Sequence, residues 1–383
     1  MVNKTEEPGP STAETAPATD GEEAVPDPQM RAVVLNSYGG LKGIQVVENK
    51  PQPQAVGESE ILLKTAMSSL NFQDLMTRLG VIDSPPKIPF VMGSEVVGTV
   101  IQIGKDVSRF KVGDIVYGLP ETGAWAEFVI LEESLAWLVT KTKLDVKYVA
   151  TSLPYIVAHY LLQGVAVGSS VVIHSAGGSV GLAVRDLAKM QGCKVLGICS
   201  GYKMEKISGF ESLIDRTFDY VAEIKKLYPA GVNLVLDPQG GEDCTRGLTL
   251  LSPGGKYILY GSANIVTGET KSFFSMAKSW WQVEKVSPLK LFEENKFIGG
   301  LHLRNLLKTK YDEVGKVLDK LWGLMESGQV KPTVDSIWSF EEVPEAMQKM
   351  HDRKNIGKLL IDPAARKVEK NDTEKGNGES NAN

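Results

Sequence analysis

The sequence of 383 residues contains little of what builds metal sites, disulfide frameworks or nucleic-acid surfaces. It has only three cysteines and four histidines. Cys193, Cys199 and Cys244 form an odd set without C-x-x-C spacing, which indicates reduced thiols and a cytoplasmic protein. The net charge is −5 and no basic stripe is present, so nucleic acid is not expected as the main partner.

Long apolar runs are absent as well. No stretch of about eighteen apolar residues exists, which excludes a transmembrane helix. Residues 1–29 are acidic and lack both the basic start and the apolar core of a signal peptide. Residues 364–383 are similarly polar. Both segments are predicted to be disordered tails, because their composition buries too little apolar area to fold.

The sequence does contain a pattern of strand, glycine turn, helix and strand at residues 171–199. Residues 176–181 read AGGSVG, and apolar positions then recur at i, i+3, i+4 and i+7 from Val180. This is an A-x-G-x-x-G variant of the dinucleotide-binding turn. Gly178 would let backbone amides approach a pyrophosphate, and Gly181 would let the helix pack closely on the strand. A plain strand-to-helix connection is the alternative, but the flanking strands favour cofactor binding.

The order of the predicted strands and helices divides the chain into two folded parts. Before about residue 149, many short strands between Gly and Asp turns indicate an irregular β-barrel-like domain. After it, strands alternate with helices, which indicates a doubly wound parallel sheet. The strands predicted for that sheet are Val171–His174, Val195–Cys199, Leu213–Asp215, Leu234–Asp237, Tyr257–Tyr260 and Phe297–Leu301, with a turn at 252–255 that ends a helix.

Several short motifs follow one another along the chain. They are Asn71-Phe72-x-Asp74, Gly93-x-Glu95-x-x-Gly98, Val112-Gly113-Asp114, Gly123-x-Trp125-Ala126-Glu127, Gly177-Gly178-x-Val180-Gly181 and Gly357-Lys358. This order resembles the quinone oxidoreductase branch of the medium-chain dehydrogenase/reductase superfamily. Residues 268–286 further resemble the vesicle amine transport protein one homologue-like group, whose name we do not take as evidence of amine transport.

The resemblance implies an α/β fold with a GroES-like irregular β-barrel domain and a doubly wound parallel Rossmann sheet. The implied units are a GroES-like catalytic domain at 30–158, a Rossmann NADP-binding domain at 159–303 and a return segment at 304–363 that completes the catalytic domain. The implied activity is an NADPH-dependent reductase that passes hydride to a small-molecule quinone or activated enone. A homodimer is also expected.

Zinc-dependent relatives carry Cys where this chain has Asn71 and His where it has Ser94. Amide and hydroxyl groups are poor zinc ligands, and the four histidines show no paired spacing. The sequence therefore predicts a zinc-independent protein without metal ligands. The resemblance instead gives Asn71 a catalytic contact with the nicotinamide ribose or the substrate oxygen.

The second strand of the predicted sheet ends without the Asp or Glu that binds the ribose 2′-hydroxyl in NAD sites. Ser200 could donate to a 2′-phosphate, Lys203 could neutralise it, and Arg216 replaces a tyrosine common in the family. Both cations could instead be ordinary surface charges, but the missing acid favours NADPH. The predicted cofactor-binding residues are Ser175, Gly177, Gly178, Val180, Gly181, Ser200, Lys203, Arg216, Gly261, Ser262 and Lys358.

Two features keep a second function open. Val157 stands where the family often has Thr, and Ser179 replaces a glycine, so fewer cofactor contacts are expected. Residues 273–281, FFSMAKSWW, could form a pocket wall or dimer contact, or could touch a lipid surface or a partner protein. The alternative is a cofactor-binding scaffold or regulatory protein of low turnover that acts through peripheral membrane or protein contacts.

Overall fold

The structure is a computed structural model that describes residues 28–141, 143–261 and 286–367. Its strands are β1 (Gln29–Leu35), β2 (Ile44–Pro51), β3 (Glu60–Leu70), β4 (Phe90–Val91), β5 (Val96–Ile103), β6 (Ile115–Gly118), β7 (Phe128–Glu132), β8 (Ala136–Leu138), β9 (Ser170–His174), β10 (Lys194–Cys199), β11 (Ser212–Asp215), β12 (Val232–Asp237), β13 (Leu251–Leu259), β14 (Phe297–Gly300), β15 (Val334–Trp338) and β16 (Lys358–Ile361).

The helices of the described residues lie mostly in the second half of the chain. They are α1 (Phe72–Leu79), α2 (Val146–Val149), α3 (Ser152–Leu161), α4 (Ser179–Met190), α5 (Gly201–Met204), α6 (Tyr220–Leu227), α7 (Glu242–Leu248), α8 (Pro288–Glu294), α9 (Leu303–Leu307), α10 (Tyr311–Glu326) and α11 (Val343–His351).

Strands β9 to β14 form one parallel sheet in the order β11-β10-β9-β12-β13-β14. The chain runs from the middle of this sheet to one edge and then returns to the other side of β9. Alternate side chains face opposite layers, so Val171 and Ile173 share a buried cluster with α4. Val172 instead packs with Tyr220 and Ile224 of α6. The predicted doubly wound sheet is confirmed.

One predicted boundary in this sheet is wrong. The sequence predicts a turn at residues 252–255 that ends a helix, yet α7 ends at Leu248 and β13 already begins at Leu251. The buried Leu251 pairs with Val232, and pairing then resumes between Lys256 and Leu234. The Pro-Gly-Gly segment is thus an irregularity within the strand, because the apolar residue before it is already held in the sheet.

The first part of the chain folds around β3, which pairs with β5, β7 and β16. These strands belong to a sheet of order β15-β16-β3-β5-β6-β8, and β2-β1-β4 form a second, smaller sheet. Trp125 is fully buried between them and donates from Nε1 to the carbonyl of Ser69 at 3.1 Å. The predicted irregular β-barrel domain is confirmed.

The C-terminal strand β16 returns the chain to this barrel. Leu359, Leu360 and Ile361 pair antiparallel with the last residues of β3. The pairing brings the start of β16 beside the end of β3, where Asn71 follows directly. Lys358, the first residue of β16, thereby meets Asn71 at the boundary between the barrel and the parallel sheet.

Candidate functional site

A cleft of about 400 Å³ lies between the barrel and the carboxyl ends of the parallel strands. This is the position at which doubly wound sheets bind ligands. Its wall includes nine of the residues predicted to bind the cofactor, namely Ser175, Gly177, Gly178, Val180, Gly181, Ser200, Lys203, Arg216 and Gly261. Ser262 and residues 273–281 lie outside the described residues. Residues that the sequence predicted together therefore form one wall of this cleft.

The glycine turn after β9 has the geometry of a phosphate-binding turn. Helix α4 begins at Ser179, and the amide of Gly178 donates to the carbonyl of Ser175 at 2.8 Å. A Cβ on Gly181 would lie 2.6 Å from the carbonyl oxygen of Ala176, so only glycine fits there. A Cβ on Gly178 would contact only the Ser175 carbonyl, at 3.2 Å, and would project into the open turn. The helix N-terminus therefore faces the cleft, as anion binding requires.

Lys203 is buried in the cleft wall and is not an ordinary surface charge. Its side chain extends below Gly177, and its ammonium donates to the carbonyl of Asn355 at 2.6 Å. Burial lowers the pKa of this ammonium. Arg216 also lines the cleft but is exposed. Lys203 thus connects the turn to the C-terminal segment, whereas Arg216 can bind a ligand from the solvent side.

Arg353 is a cleft residue that no sequence motif predicted. It is half-buried, has a left-handed backbone (φ 57°) and donates from Nη1 to Gln239 at 3.1 Å. Its carbonyl accepts the Tyr202 hydroxyl at 2.7 Å. Burial, and next the charge of Arg216, lower the pKa of this guanidinium, which places two guanidinium groups close together. No local pattern signals Arg353, because its neighbours in the cleft come from other parts of the chain.

Asn71 lies at the opposite end of the cleft and is oriented by two charged residues. The ammonium of Lys358 donates to Asn71 Oδ1, and Asn71 Nδ2 donates to Glu95 Oε2 at 3.1 Å. The Lys358 ammonium also lies 2.8 Å from Glu95 Oε2. Because the lysine can only donate, it fixes Oδ1 toward the ammonium and leaves Nδ2 directed at Glu95 and Ser94. The second N–H of this amide has only a long contact, 3.5 Å, with the Ser94 hydroxyl.

The Glu95 carboxylate is completely buried and fully hydrogen-bonded. Ser69 donates to Oε2, while the Tyr117 hydroxyl and the Leu153 amide donate to Oε1 at 2.7 and 3.1 Å. Burial acts to raise the pKa of Glu95, but the Lys358 charge and these hydrogen bonds outweigh it and lower the pKa. Leu153 belongs to α3, so the carboxylate also links the barrel to the following helices.

The structure places Lys358 behind Asn71. Its side chain is only 2% exposed and is absent from the wall of the main cleft, as far as the described residues define that wall. Its ammonium is directed at Asn71 and Glu95. Lys358 therefore positions Asn71, and its contact with the cofactor remains a prediction.

Asp74 lies behind Asn71 at the start of α1, and its carboxylate accepts a hydrogen bond from the backbone amide of Asn71 at 2.7 Å. Burial raises its pKa from 3.8 to about 6, against the opposing effects of the Asn71 amide, Ser94, Lys358 and Arg304. Asp74, Asn71 and Ser94 form no group with the make-up of a metal site. More broadly, the described part of the chain contains no cluster of three or more His, Cys, Asp or Glu side chains able to hold a metal.

Comparison with known proteins now adds to this geometry. The mouse synaptic vesicle membrane protein VAT-1 homolog-like is 44% identical over 361 residues, covering 92% of this chain and 86% of the mouse protein. The chain belongs to the VAT-1 homologue family. A crystal structure of the human VAT-1 homolog-like protein has a TM-score of 0.76 and 36% identity, covering 88% of this chain and 99% of that one.

The VAT-1 homologue family falls within the medium-chain dehydrogenase/reductase superfamily. Residues 57–141 match the alcohol dehydrogenase GroES-like domain, and residues 208–361 match a zinc-binding dehydrogenase domain. The predicted family, the GroES-like barrel and the Rossmann sheet are thereby confirmed. The predicted absence of zinc remains a prediction, based on Asn71 and Ser94.

Two more distant proteins of this superfamily carry informative names. Human quinone oxidoreductase is 26% identical, covering 87% of this chain and 97% of that protein. A mycobacterial protein solved as a complex with NADPH is 27% identical with a TM-score of 0.75, covering 87% of this chain and all of that one. No helix in the described residues has both the length and the apolar character to cross a membrane.

Proposed function

We propose that this oxidoreductase-family protein is a zinc-independent, NADPH-dependent reductase that transfers hydride to a quinone or an activated enone. The observation that carries the proposal is one cleft with a dinucleotide turn at one end and the oriented amide of Asn71 at the other. The name of the human quinone oxidoreductase relative is consistent with this chemistry.

The turn and the cations fit a phosphorylated dinucleotide. Gly178 and the start of α4 would hold the pyrophosphate, since no side chain blocks the amides there. Ser200, Arg216 and Arg353 would surround the 2′-phosphate, with Lys203 behind them. Gly261, whose Cβ would lie 2.7 Å from the Pro238 carbonyl, would flank the nicotinamide. When bound, this cofactor supplies the hydride.

The acceptor end is apolar except for a few oriented donors. Phe72, Met76, Leu119 and Leu307 contribute to its wall, which suits a flat apolar acceptor. The second N–H of Asn71, which has only the long contact with Ser94, would donate to an acceptor carbonyl or a ribose hydroxyl, because Lys358 holds the amide in one orientation. Such a donor orients the acceptor and polarises its oxygen. The reduced oxygens of a quinone can then take protons from water.

A panel of ortho-quinones and enones tests this proposal by following NADPH consumption. We expect turnover with members of both classes and a strong loss in Asn71→Ala. Asn36→Ala is the matched control, since the Asn36 side chain contacts Gln45 on the surface and should leave the rate unchanged. NADPH binding without consumption by any acceptor would contradict the proposal and favour the scaffold alternative.

We also propose that the protein acts as a cytoplasmic homodimer. Among the described residues, strand β14 is the edge of the parallel sheet, and large apolar side chains around it are exposed. Phe292 is 78% exposed, Leu289 64% and Phe297 59%. An edge strand surrounded by apolar side chains suits a second copy of the sheet, and the same surface supports the alternative of a partner protein. Sedimentation of the full chain should give a dimer, whereas a monomer at micromolar concentration would contradict this assembly.

A further inference from the structure

Arg304 places a positive charge in the acceptor half of the cleft. It lies in α9, directly after the parallel sheet, and its side chain forms part of the cleft wall. Its Nη2 faces the barrel, where it donates to the carbonyls of Pro120 and Glu121 at 3.3 and 3.5 Å. The guanidinium therefore bridges the rim of the barrel and the end of the sheet.

The guanidinium of Arg304 is incompletely satisfied. Both of its hydrogen bonds are long and come from one nitrogen, and within the described residues Nε and Nη1 have no hydrogen-bond partner. No carboxylate of the described residues lies within ion-pair distance of it. Burial lowers its pKa, while the more distant charges of Asp74 and Glu121 oppose this shift. A partly desolvated guanidinium with free donors is a strong site for an anion, above all a bidentate carboxylate.

The cofactor phosphates have their own partners elsewhere in the cleft. In the proposed binding mode the turn at 175–181 would hold the pyrophosphate, and Arg216 and Arg353 would hold the 2′-phosphate. Arg304 instead lies near Asp74, the residue behind Asn71, and beside the barrel loop that contains Leu119. It thus shares the end of the cleft at which the acceptor would bind.

We infer that Arg304 binds a carboxylate of the acceptor, so that the substrate class is an enone or quinone bearing a carboxylate on an otherwise apolar body. This inference rests on the proposed reductase function. The acceptor carbonyl would meet Asn71, the carboxylate would meet Arg304, and the apolar side chains between them would cover the rest of the molecule.

The inference is tested with two forms of one enone acceptor, the free carboxylate and its methyl ester. In the unaltered protein kcat/KM should favour the acid by about 10-fold or more, the size expected for a charge-assisted pair. Arg304→Met should remove the preference by raising KM for the acid alone, and Arg304→Lys should keep part of it. Lys308→Met, at an exposed position following the same helix, is the control and should retain the full preference.

A binding measurement separates this inference from the proposed function. Calorimetry on the NADPH-loaded protein would use the saturated, non-reducible analogues of the same acid and ester. Tighter binding of the acid that disappears in Arg304→Met supports the inference even if no acceptor is reduced. Equal binding of acid and ester overturns it, even if both enones are reduced. A loss of NADPH affinity in Arg304→Met that is as large as the loss of affinity for the acid also overturns it, because the arginine would then contact the cofactor.

Discussion

The arginines at the nucleotide end of the cleft and Lys358 at the acceptor end use positive charge in opposite ways. At the nucleotide end, Arg216 is exposed and Arg353 half-buried, and neither has an ion pair with a carboxylate of the described residues. At the acceptor end, the Lys358 ammonium is buried against Glu95 and Asn71. Free cations provide affinity for an anionic ligand, whereas a neutralised buried pair provides rigidity. The difference indicates that Arg216 and Arg353 are placed to bind a ligand, whereas Lys358 holds the Asn71 amide in place.

Breaking the buried pair should have the largest effect. Lys358→Met leaves the Glu95 carboxylate buried without its cation, so we expect a loss of about 3–5 kcal/mol in the free energy of unfolding. Lys203→Met at the nucleotide end removes a bond to a neutral carbonyl and should cost only about 1–2 kcal/mol. Urea unfolding of both variants measures the contrast. Adding Glu95→Gln to Lys358→Met should recover part of the loss, and equal losses for the two lysines would break the comparison.

The glycine turn should govern affinity without governing stability. Gly178→Val places a side chain over the amides that face the pyrophosphate, so NADPH affinity should fall by about 100-fold. Gly40→Val is the control, because Gly40 has ordinary backbone angles and a Cβ there would meet nothing within 4 Å. Fluorescence titration with NADPH measures both. Unchanged affinity in Gly178→Val would show that the turn is only a connection.

The cations at the nucleotide end should govern the choice between the two nicotinamide cofactors. Arg216→Ala and Arg353→Ala should each weaken NADPH by about 10-fold and leave NADH unchanged, since only NADPH carries the 2′-phosphate. Changing both Lys203 and Arg216 to Ala should remove most of the preference. Parallel titrations with the two cofactors measure this, and equal affinities in the unaltered protein would refute the assignment of all three residues.

The smallest expected effect concerns pH at the acceptor end. Burial raises the pKa of Asp74 from 3.8 to about 6, so the folded state holds this proton more tightly than the unfolded chain. The contribution of Asp74 to the unfolding free energy should therefore fall as pH rises from about 4 to about 6 and then stay level. Asp74→Asn keeps an acceptor for the backbone amide of Asn71 and should gain stability relative to the unaltered protein above pH 6, but not near pH 4. A relative gain that is the same at pH 4 and pH 7 would contradict this.

The same contrast explains what the sequence could predict. The nucleotide end follows from local spacing, because residues 170–190 form a strand, a turn and a helix within one short stretch of the sequence. The acceptor end does not, since Lys358 meets Asn71 only after β16 pairs with β3, 287 positions later in the chain. Arg353 and Arg304 were missed for the same reason. Their neighbours are set by the tertiary fold, and neither lies in a motif with a characteristic spacing.

Hydride transfer is the central claim, and it can be measured in a single turnover. NADPH carrying deuterium at the reactive carbon would be mixed with excess protein and an enone, and the product analysed by mass spectrometry. We predict one deuterium on the β-carbon of the product, and none with Asn71→Ala over the same time. Tight binding of the deuterated cofactor with no deuterium in any product would contradict hydride transfer.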